Sequence, residues 1–225
     1  MPPVCRLCGE RSHSAMELCE GCWQDLPRNT RCCSRCAIPL SQPGVCGRCQ
    51  RDPPAFDGAF VPFLYRAPFD HWLPALKFHG ELSLARLLGQ LLATEWLLRA
   101  GSSPLDVTGP LIPVPLHRSR LRERGYNQAR EIAAAAGPLL GQRLSPLVKR
   151  IRATAPQTDL KAAQRTRNVR DSFSTSGPVP DHLLLVDDVL TTGATAAEVA
   201  RTLKRAQAVR VGVMALARVL PPGSG

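Results

Sequence analysis

The chain has 225 residues, enough for one medium domain plus a small one, and 44% of them are hydrophobic, the ordinary share for a globular protein. The formal net charge of +11 points to polyanionic partners, and aromatic residues are scarce at 5%. No charged start leads into an apolar run, and the most apolar stretch, Leu82 to Leu98, is broken by Arg86, Gln90 and Glu95. A secretory signal and a membrane span are therefore not expected, and the reading is of a soluble, cytoplasmic protein.

All nine cysteines fall in the first fifty residues. Eight of them form four Cys-x₂-Cys knuckles: Cys5 with Cys8, Cys19 with Cys22, Cys33 with Cys36, and Cys46 with Cys49. Each knuckle offers two thiolates to one metal, so the eight predict two tetrahedral Cys₄ zinc sites, taken in sequence order. The segment has few large apolar residues, so metal must supply much of its folding free energy. A disulfide framework is the rival reading. The odd cysteine count and the lack of a secretion signal argue against it. Cys32 is the spare thiol; it could replace Cys33, although the spacing favours Cys33. His13 could be a ligand too, but beside eight better-spaced thiols it reads as a loop histidine. Residues 1–52 are thus expected to form a double zinc ribbon. Its purpose stays open: Arg6, Arg11, Arg28, Arg31, Arg35, Arg48 and Arg51 could grip nucleic acid, or the ribbon could be a structural cap or an interaction surface.

Asp52-Pro53-Pro54 marks a stiff linker, and a second domain is expected over 56–220. Phe56 to Tyr65 alternates well enough for one or two short strands. Asp70 to Gly80 reads as a helix broken or kinked at Pro74; Lys77 could reach a phosphate, but lysines on amphipathic helices are usually solvated. Leucines at 84, 87, 88 and 91 predict an amphipathic core helix over 82–98. After a loop over 101–110, Leu111 to His117 is strand-like, and its prolines suggest an edge or a strand end. Arg118, Arg120, Arg122 and Arg124 follow within seven residues. From Leu111 to Asp171 there are 13 Lys and Arg against 4 Asp and Glu, so most of the net charge resides in the middle of the chain. An alanine-rich helix is expected from about Asn127 to Leu140 and a short strand over Ser145 to Arg150. Ile151 to Asp171 has no apolar period; a polar basic loop of that length is functional or disordered.

The chemistry concentrates between Leu183 and Thr195. Leu183 to Val186 read as a buried parallel strand that stops at two carboxylates, Asp187 and Asp188. Gly193 permits a tight turn among Thr191, Thr192 and Thr195. Behind it Ala196, Val199, Ala200 and Leu203 share one helical face, with Glu198, Arg201, Lys204 and Arg205 expected outside it. A strand, a hydroxyl-and-glycine turn and a helix start in this order build a phosphate site from free N–H groups and the helix dipole. The acid pair suits a ribose whose two hydroxyls donate to it, with Mg²⁺ alongside. The plainer alternative is an ordinary strand–loop–helix capped by a threonine. A last strand is expected over Val209 to Val219, and a disordered tail from Pro221 onward.

The order zinc ribbon, Leu76-Lys-Phe-x-Gly80, Pro113-Val-Pro-Leu116, Arg120-x₃-Arg-Gly-Tyr-Asn-Gln-Ala129, Gln157-x₂-Leu160 and Val186-Asp-Asp-x₂-Thr-Thr-Gly-Ala-Thr195 resembles the ComF family (ComFC/GntX-like competence proteins) across nearly the whole chain. The resemblance implies an α/β fold of the type I phosphoribosyltransferase kind, a mostly parallel sheet flanked by helices, behind the ribbon. It implies binding of PRPP or ribose-5-phosphate with Mg²⁺, the contacts coming from Asp187, Asp188 and the turn Thr191, Thr192, Gly193, Ala194 and Thr195. The His117–Arg118 turn would be the pyrophosphate loop. Lys161, Arg165 and Arg167 would lie in a mobile loop and neutralise the diphosphate, with Arg120 and Arg124 assisting or holding a nucleic-acid backbone. The implied role is single-stranded DNA handling in natural competence, other competence proteins at the inner membrane being candidate partners. The alternative is an active phosphoribosyltransferase on an unidentified acceptor, with no DNA role. Enzymes of 6-oxopurine salvage carry an acid where this chain has Thr191, which argues against that acceptor. Tyr126, Trp23 and Phe173 are the aromatic residues expected near the basic regions, where bases could stack.

Overall fold

Apolar side chains at four successive strand positions point alternately to both faces, so Leu183 to Val186 must be covered on both sides. The computed structural model, which describes residues 3–99, 105, 108–152 and 169–220, meets that demand with a parallel sheet between two helical layers. The strands are β1 (Gly58–Phe60), β2 (Phe63–Leu64), β3 (Leu111–Pro113), β4 (Val148–Arg150), β5 (Phe173–Thr175), β6 (His182–Leu190) and β7 (Arg210–Arg218). The described helices are α1 (Glu20–Gln24), α2 (Gly47–Arg51), α3 (Phe69–Phe78), α4 (Leu82–Leu98), α5 (Arg118–Arg124), α6 (Gln128–Leu140) and α7 (Ala194–Arg205). The main sheet runs β1-β7-β6-β3, every pair parallel, and β2 continues β1 along the same side of β7.

Leu184 and Val186 face α3, α4 and α6, while Leu183 and Leu185 face α7. On the first side Leu84, Leu87, Leu88 and Leu91 are all buried, as their spacing predicts. There α4 crosses α6 closely enough that a Cβ at Gly89 would lie 2.6 Å from the Cβ of Ala135, so only glycine fits. Pro113 ends β3 at the sheet edge, the position its missing N–H allows. Pro74 lies within α3, which continues through it.

Three expectations need correction. β6 does not stop at the acid pair: it runs on to Leu190, with Asp187 opposite Ala215 and Val189 opposite Ala217. Backbone pairing is indifferent to side-chain polarity, and β7 extends far enough to satisfy these groups. Glu198 is buried rather than outside, at 2% exposure, because α7 carries a satellite layer on that flank. Its carboxylate accepts the Asp171 N–H at 2.9 Å and pairs with Arg201 and Arg205. Phe173 is also buried: β5 pairs antiparallel with β4 in a separate two-stranded sheet, which packs the ring against the α7 side of the core. It offers no face to a base.

The ribbon is welded to the sheet edge. Asn29, fully buried, donates its backbone N–H to Pro62 O at 2.7 Å and its amide to Val61 O at 3.0 Å and Ala37 O at 2.9 Å. Leu64 N–H reaches Pro27 O at 2.8 Å, and Arg28 bridges Phe63 in antiparallel fashion. Strand edges left open invite foreign strands; here residues 27–29 cover one. Glu95 of α4, buried, pairs with Arg28 of the ribbon at 3.3 Å and with Arg99 at 2.8 Å. No helix among the described residues is long and apolar enough to cross a membrane.

Candidate functional site

Each pair of knuckles converges. The Sγ atoms of Cys5, Cys8, Cys19 and Cys22 all lie within 4.8 Å of one another, and so do those of Cys33, Cys36, Cys46 and Cys49. Two of the separations, Cys8 to Cys19 and Cys36 to Cys46, are 3.7 Å. A tetrahedron with Zn–S bonds of about 2.3 Å has edges of about 3.8 Å, so both sets fit zinc. Burial opposes the Cys5 thiolate, but the N–H groups of Cys19, Cys8 and Leu7 outweigh it and bring its pKa to about 6. Cys33 is likewise brought to about 7, burial being overcome by the N–H groups of Cys46, Cys36 and Arg35. Cys32 lies outside both clusters, half-buried, and burial pushes its thiol up.

The acid pair opens into a cleft of about 670 Å³, the size of a small-molecule site. Its floor is the end of β6 and the start of α7, with Asp187, Asp188, Thr191, Gly193, Ala194 and Thr195 in the lining. Its opposite wall comes from α3, α5 and the start of α6, through Lys77, Phe78, Arg120, Arg124 and Gln128. Gly193 turns the chain at φ +77°, a conformation open to glycine at little cost, and stands as the N-cap of α7. The capping-threonine alternative takes a modified form: Thr192 Oγ1 accepts the Ala194 N–H at 3.3 Å, but Thr192 is not the cap and faces the ribbon side of the turn.

The two carboxylates sit in different electrostatic surroundings. Asp188, 4% exposed, forms an ion pair with Lys77 and receives the Gln128 amide at 3.5 Å. Burial alone would raise its pKa; the Lys77 charge and these hydrogen bonds override burial and hold it below the ordinary carboxylate value. Asp187 is pushed well above that value, by burial first and by the Asp188 charge second, although its Oδ1 accepts the Asp188 N–H at 2.9 Å. Lys77 is held protonated: burial disfavours its charge and Asp188 more than restores it.

Lys77 is therefore not the solvated residue expected. Phe69, Trp72, Leu73 and Leu76 form the buried stripe of α3, and Lys77 extends it four residues past Leu73. That spacing is the available signal. Gln128 carries no such signal; it orients Arg124, whose Nη1 donates to Gln128 Oε1 at 2.6 Å, and Arg124 in turn lies over the Phe78 ring at 5.4 Å. Tyr126 donates its hydroxyl to Leu76 O, fixing α3 against the loop before α6.

The arginine run is the helix α5, which sorts its members by i, i+4 spacing: Arg120 and Arg124 line the cleft, while Arg118 and Arg122 are exposed. His117 caps α5, accepting the Ser119 N–H at 3.3 Å, and neither His117 nor Arg118 is among the lining residues. Lys161, Arg165 and Arg167 lie outside the described residues. Among the ribbon arginines, Arg6 is tied to Glu17 at 2.5 Å and Arg28 to Glu95, whereas Arg11, Arg31, Arg48 and Arg51 are exposed.

Two Cys₄ centres welded to the edge of a parallel α/β sheet, with an acid pair and a threonine–glycine turn at the sheet's carboxyl end, define the class: a double zinc ribbon joined to an α/β unit with an open cleft. Residues 1–50 match the family model described as a double zinc ribbon domain. Over 224 residues the chain is 34% identical to the DNA utilization protein YhgH of Salmonella typhimurium, covering 98% of this chain and 99% of that one. Competence protein F of Haemophilus influenzae is 29% identical over 221 residues, 95% of this chain and 96% of its own. Competence protein ComFC of Streptococcus pneumoniae is 29% identical over 157 residues, 69% and 66% of the two chains. The chain belongs to the ComF family.

Proposed function

We propose that this protein binds a 5-phosphorylated ribose, PRPP with Mg²⁺ or ribose-5-phosphate, and that it handles single-stranded DNA during DNA uptake. The carrying observation is the alignment of acid pair, glycine turn and helix start along one floor of the 670 Å³ cleft. In this reading residues 1–52 are the ribbon and 56–220 the sugar-phosphate unit. The turn from Thr191 to Thr195 and the dipole of α7 take the 5-phosphate, the Ala194 N–H leaving Thr192 Oγ1 for a phosphate oxygen. Asp187 and Asp188 take the two ribose hydroxyls, and Arg120 and Arg124 stand across the cleft where a diphosphate would lie. Mg²⁺, when bound with PRPP, would screen the diphosphate; the carboxylates of Asp187 and Asp188 are the donors that suit it.

A pair of carboxylates that reads two vicinal hydroxyls has no partner on an interior deoxyribose, which carries neither. DNA is thus assigned to the outer surface, where Arg118, Arg122, Arg11, Arg31, Arg48 and Arg51 are exposed. The names of the relatives, which speak of DNA utilization and competence, support that half of the reading.

Calorimetry with ribose-5-phosphate and with PRPP, each with and without Mg²⁺, tests the cleft. Binding by the wild type, abolished in Asp187→Ala and Asp188→Ala with the fold intact, is the expected result. Unchanged affinity in both variants would remove the reading. Pyrophosphate release in the presence of candidate acceptors separates a transferase from a binding protein.

A further inference from the structure

Arg218, the last residue of β7, is 4% exposed, yet no ion pair among the described residues includes it. Its hydrogen bonds go to backbone carbonyls. Nε donates to Cys36 O at 2.9 Å, in the third knuckle and so within the second Cys₄ centre. Nη1 donates to Leu190 O at 2.8 Å, to Thr191 O and to Val219 O at 2.7 Å. One guanidinium thus holds the second Cys₄ centre and the first residues of the phosphate turn together. The turn and the ribbon also share the walls of a small cavity of about 110 Å³, where Cys36, Cys49 and Phe56 face Thr192, Gly193 and Ala194.

A buried cation needs a counter-charge, and fixed carbonyl dipoles supply only part of one. Four thiolates around Zn²⁺ carry about −2. A loaded second centre places that charge at the knuckle whose Cys36 carbonyl accepts from Arg218 Nε. Loss of metal releases the four cysteines from their common ion, and the Cys36 carbonyl that fixes Nε loses its anchored position.

We infer that Arg218 is a positioning residue that couples the turn at Leu190–Gly193 to metal loading of the second Cys₄ centre, so that zinc there, and not in the first centre, keeps the cleft ready for a phosphorylated ribose. The last clause rests on the proposed reading of the cleft; the coupling itself does not.

The test measures zinc per chain and amide hydrogen exchange over 190–195, against 184–186 in the middle of β6, in the full chain. Cys46→Ser should lose one zinc and exchange about tenfold faster in the turn, with the middle of β6 unchanged. Cys8→Ser should lose the other zinc and leave the turn at the wild-type rate. Arg218→Met should keep both zinc ions and loosen the turn as Cys46→Ser does, and Arg218→Lys, which restores charge without the planar fork, should recover part of the protection. If Cys46→Ser does not fold, Arg218→Met and stepwise chelation of the wild type give the same comparison. A turn in Arg218→Met that exchanges at the wild-type rate overturns the coupling, as does equal loosening in Cys8→Ser. Ribose-5-phosphate titrations on the same samples separate the two ideas. If the turn loosens as expected but even the wild type binds no ribose-5-phosphate, the coupling stands and the reading of the cleft falls.

Discussion

Lys77 and Asp188 show how one ion pair sets the state of a site. The pair is buried on the carboxylate side and mostly covered on the lysine side, where 24% of the side chain is exposed. Replacing Lys77 with Met would leave Asp188 buried without its cation, which costs about 3–5 kcal/mol when a buried pair is broken from one side. The sign with pH follows from the shifts. Asp188 titrates below its ordinary value in the folded state, so its contribution is present above the ordinary carboxylate range and lost only as pH falls through the lower folded value. Lys77 titrates above its ordinary value, so its contribution holds until pH rises past that higher value. In urea unfolding the destabilisation by Lys77→Met should therefore grow as pH rises above the ordinary carboxylate range, because at lower pH the buried Asp188 left without its cation escapes the cost by taking up a proton. A destabilisation that vanished near neutrality would mean the pair is not intact there. Gly193 makes a second, smaller case. A Cβ would find ordinary contacts with the Phe56 ring at 3.6 Å, so Gly193→Ala should cost about 1–2 kcal/mol from the left-handed backbone alone.

At the level of elements, α5 divides the basic charge between two tasks. Arg120 and Arg124 share the face toward the cleft, and Arg118 and Arg122 share the outer one. Neutral replacement of Arg118 and Arg122 together should weaken single-stranded DNA binding. It should also flatten the dependence of log affinity on log salt, by about 0.7 in slope for each phosphate that is no longer neutralised. Ribose-5-phosphate affinity should not change. Replacing Arg120 and Arg124 should do the reverse, weakening PRPP binding while leaving the DNA salt slope nearly intact. If both pairs affect both ligands equally, DNA and sugar phosphate share one site. With Phe173 buried and Tyr126 bonded to Leu76, stacking adds little, so the DNA affinity should be charge-driven and fall steeply with salt.

For the molecule as a whole, the ribbon is part of the fold and not an appendage. Asn29, the Arg28–Glu95–Arg99 cluster and the hydrophobic packing of Leu18 and Leu26 into the α3–α4 core join it to the sheet. Purified protein should therefore hold about two zinc ions per chain, and removing them should destabilise the sheet as well as the ribbon. Thermal unfolding before and after chelation, with circular dichroism reporting on the helices, checks this. A ribbon that lost zinc while the helical signal melted unchanged would show two independent bodies. Acid should release zinc first, because protons compete with the metal for thiolates.

Local chemistry is legible without coordinates. Knuckle spacing assigns eight ligands to two centres, because two thiols three residues apart can meet one ion whatever surrounds them. Leucine periodicity places α4 over 82–98, and four successive apolar residues require a strand covered on both faces. Relations between distant segments are not legible. Nothing near Lys77 announces Asp188, 111 positions later, and nothing near Arg218 announces Cys36, because which cation meets which acceptor depends on how α3 and the ribbon dock on the sheet. The length of β6 escapes a local reading for the same reason: its last residues are strand because β7 lies beside them, not because of their own side chains. Glu198 escapes it because helical periodicity reports only one apolar stripe, while α7 is covered a second time by the β4–β5 layer. Sequence alone determined which chemical groups this protein carries and on which local frames. The tertiary structure decided which of them face one another, since burial and charge pairing are set by packing between segments far apart in the chain.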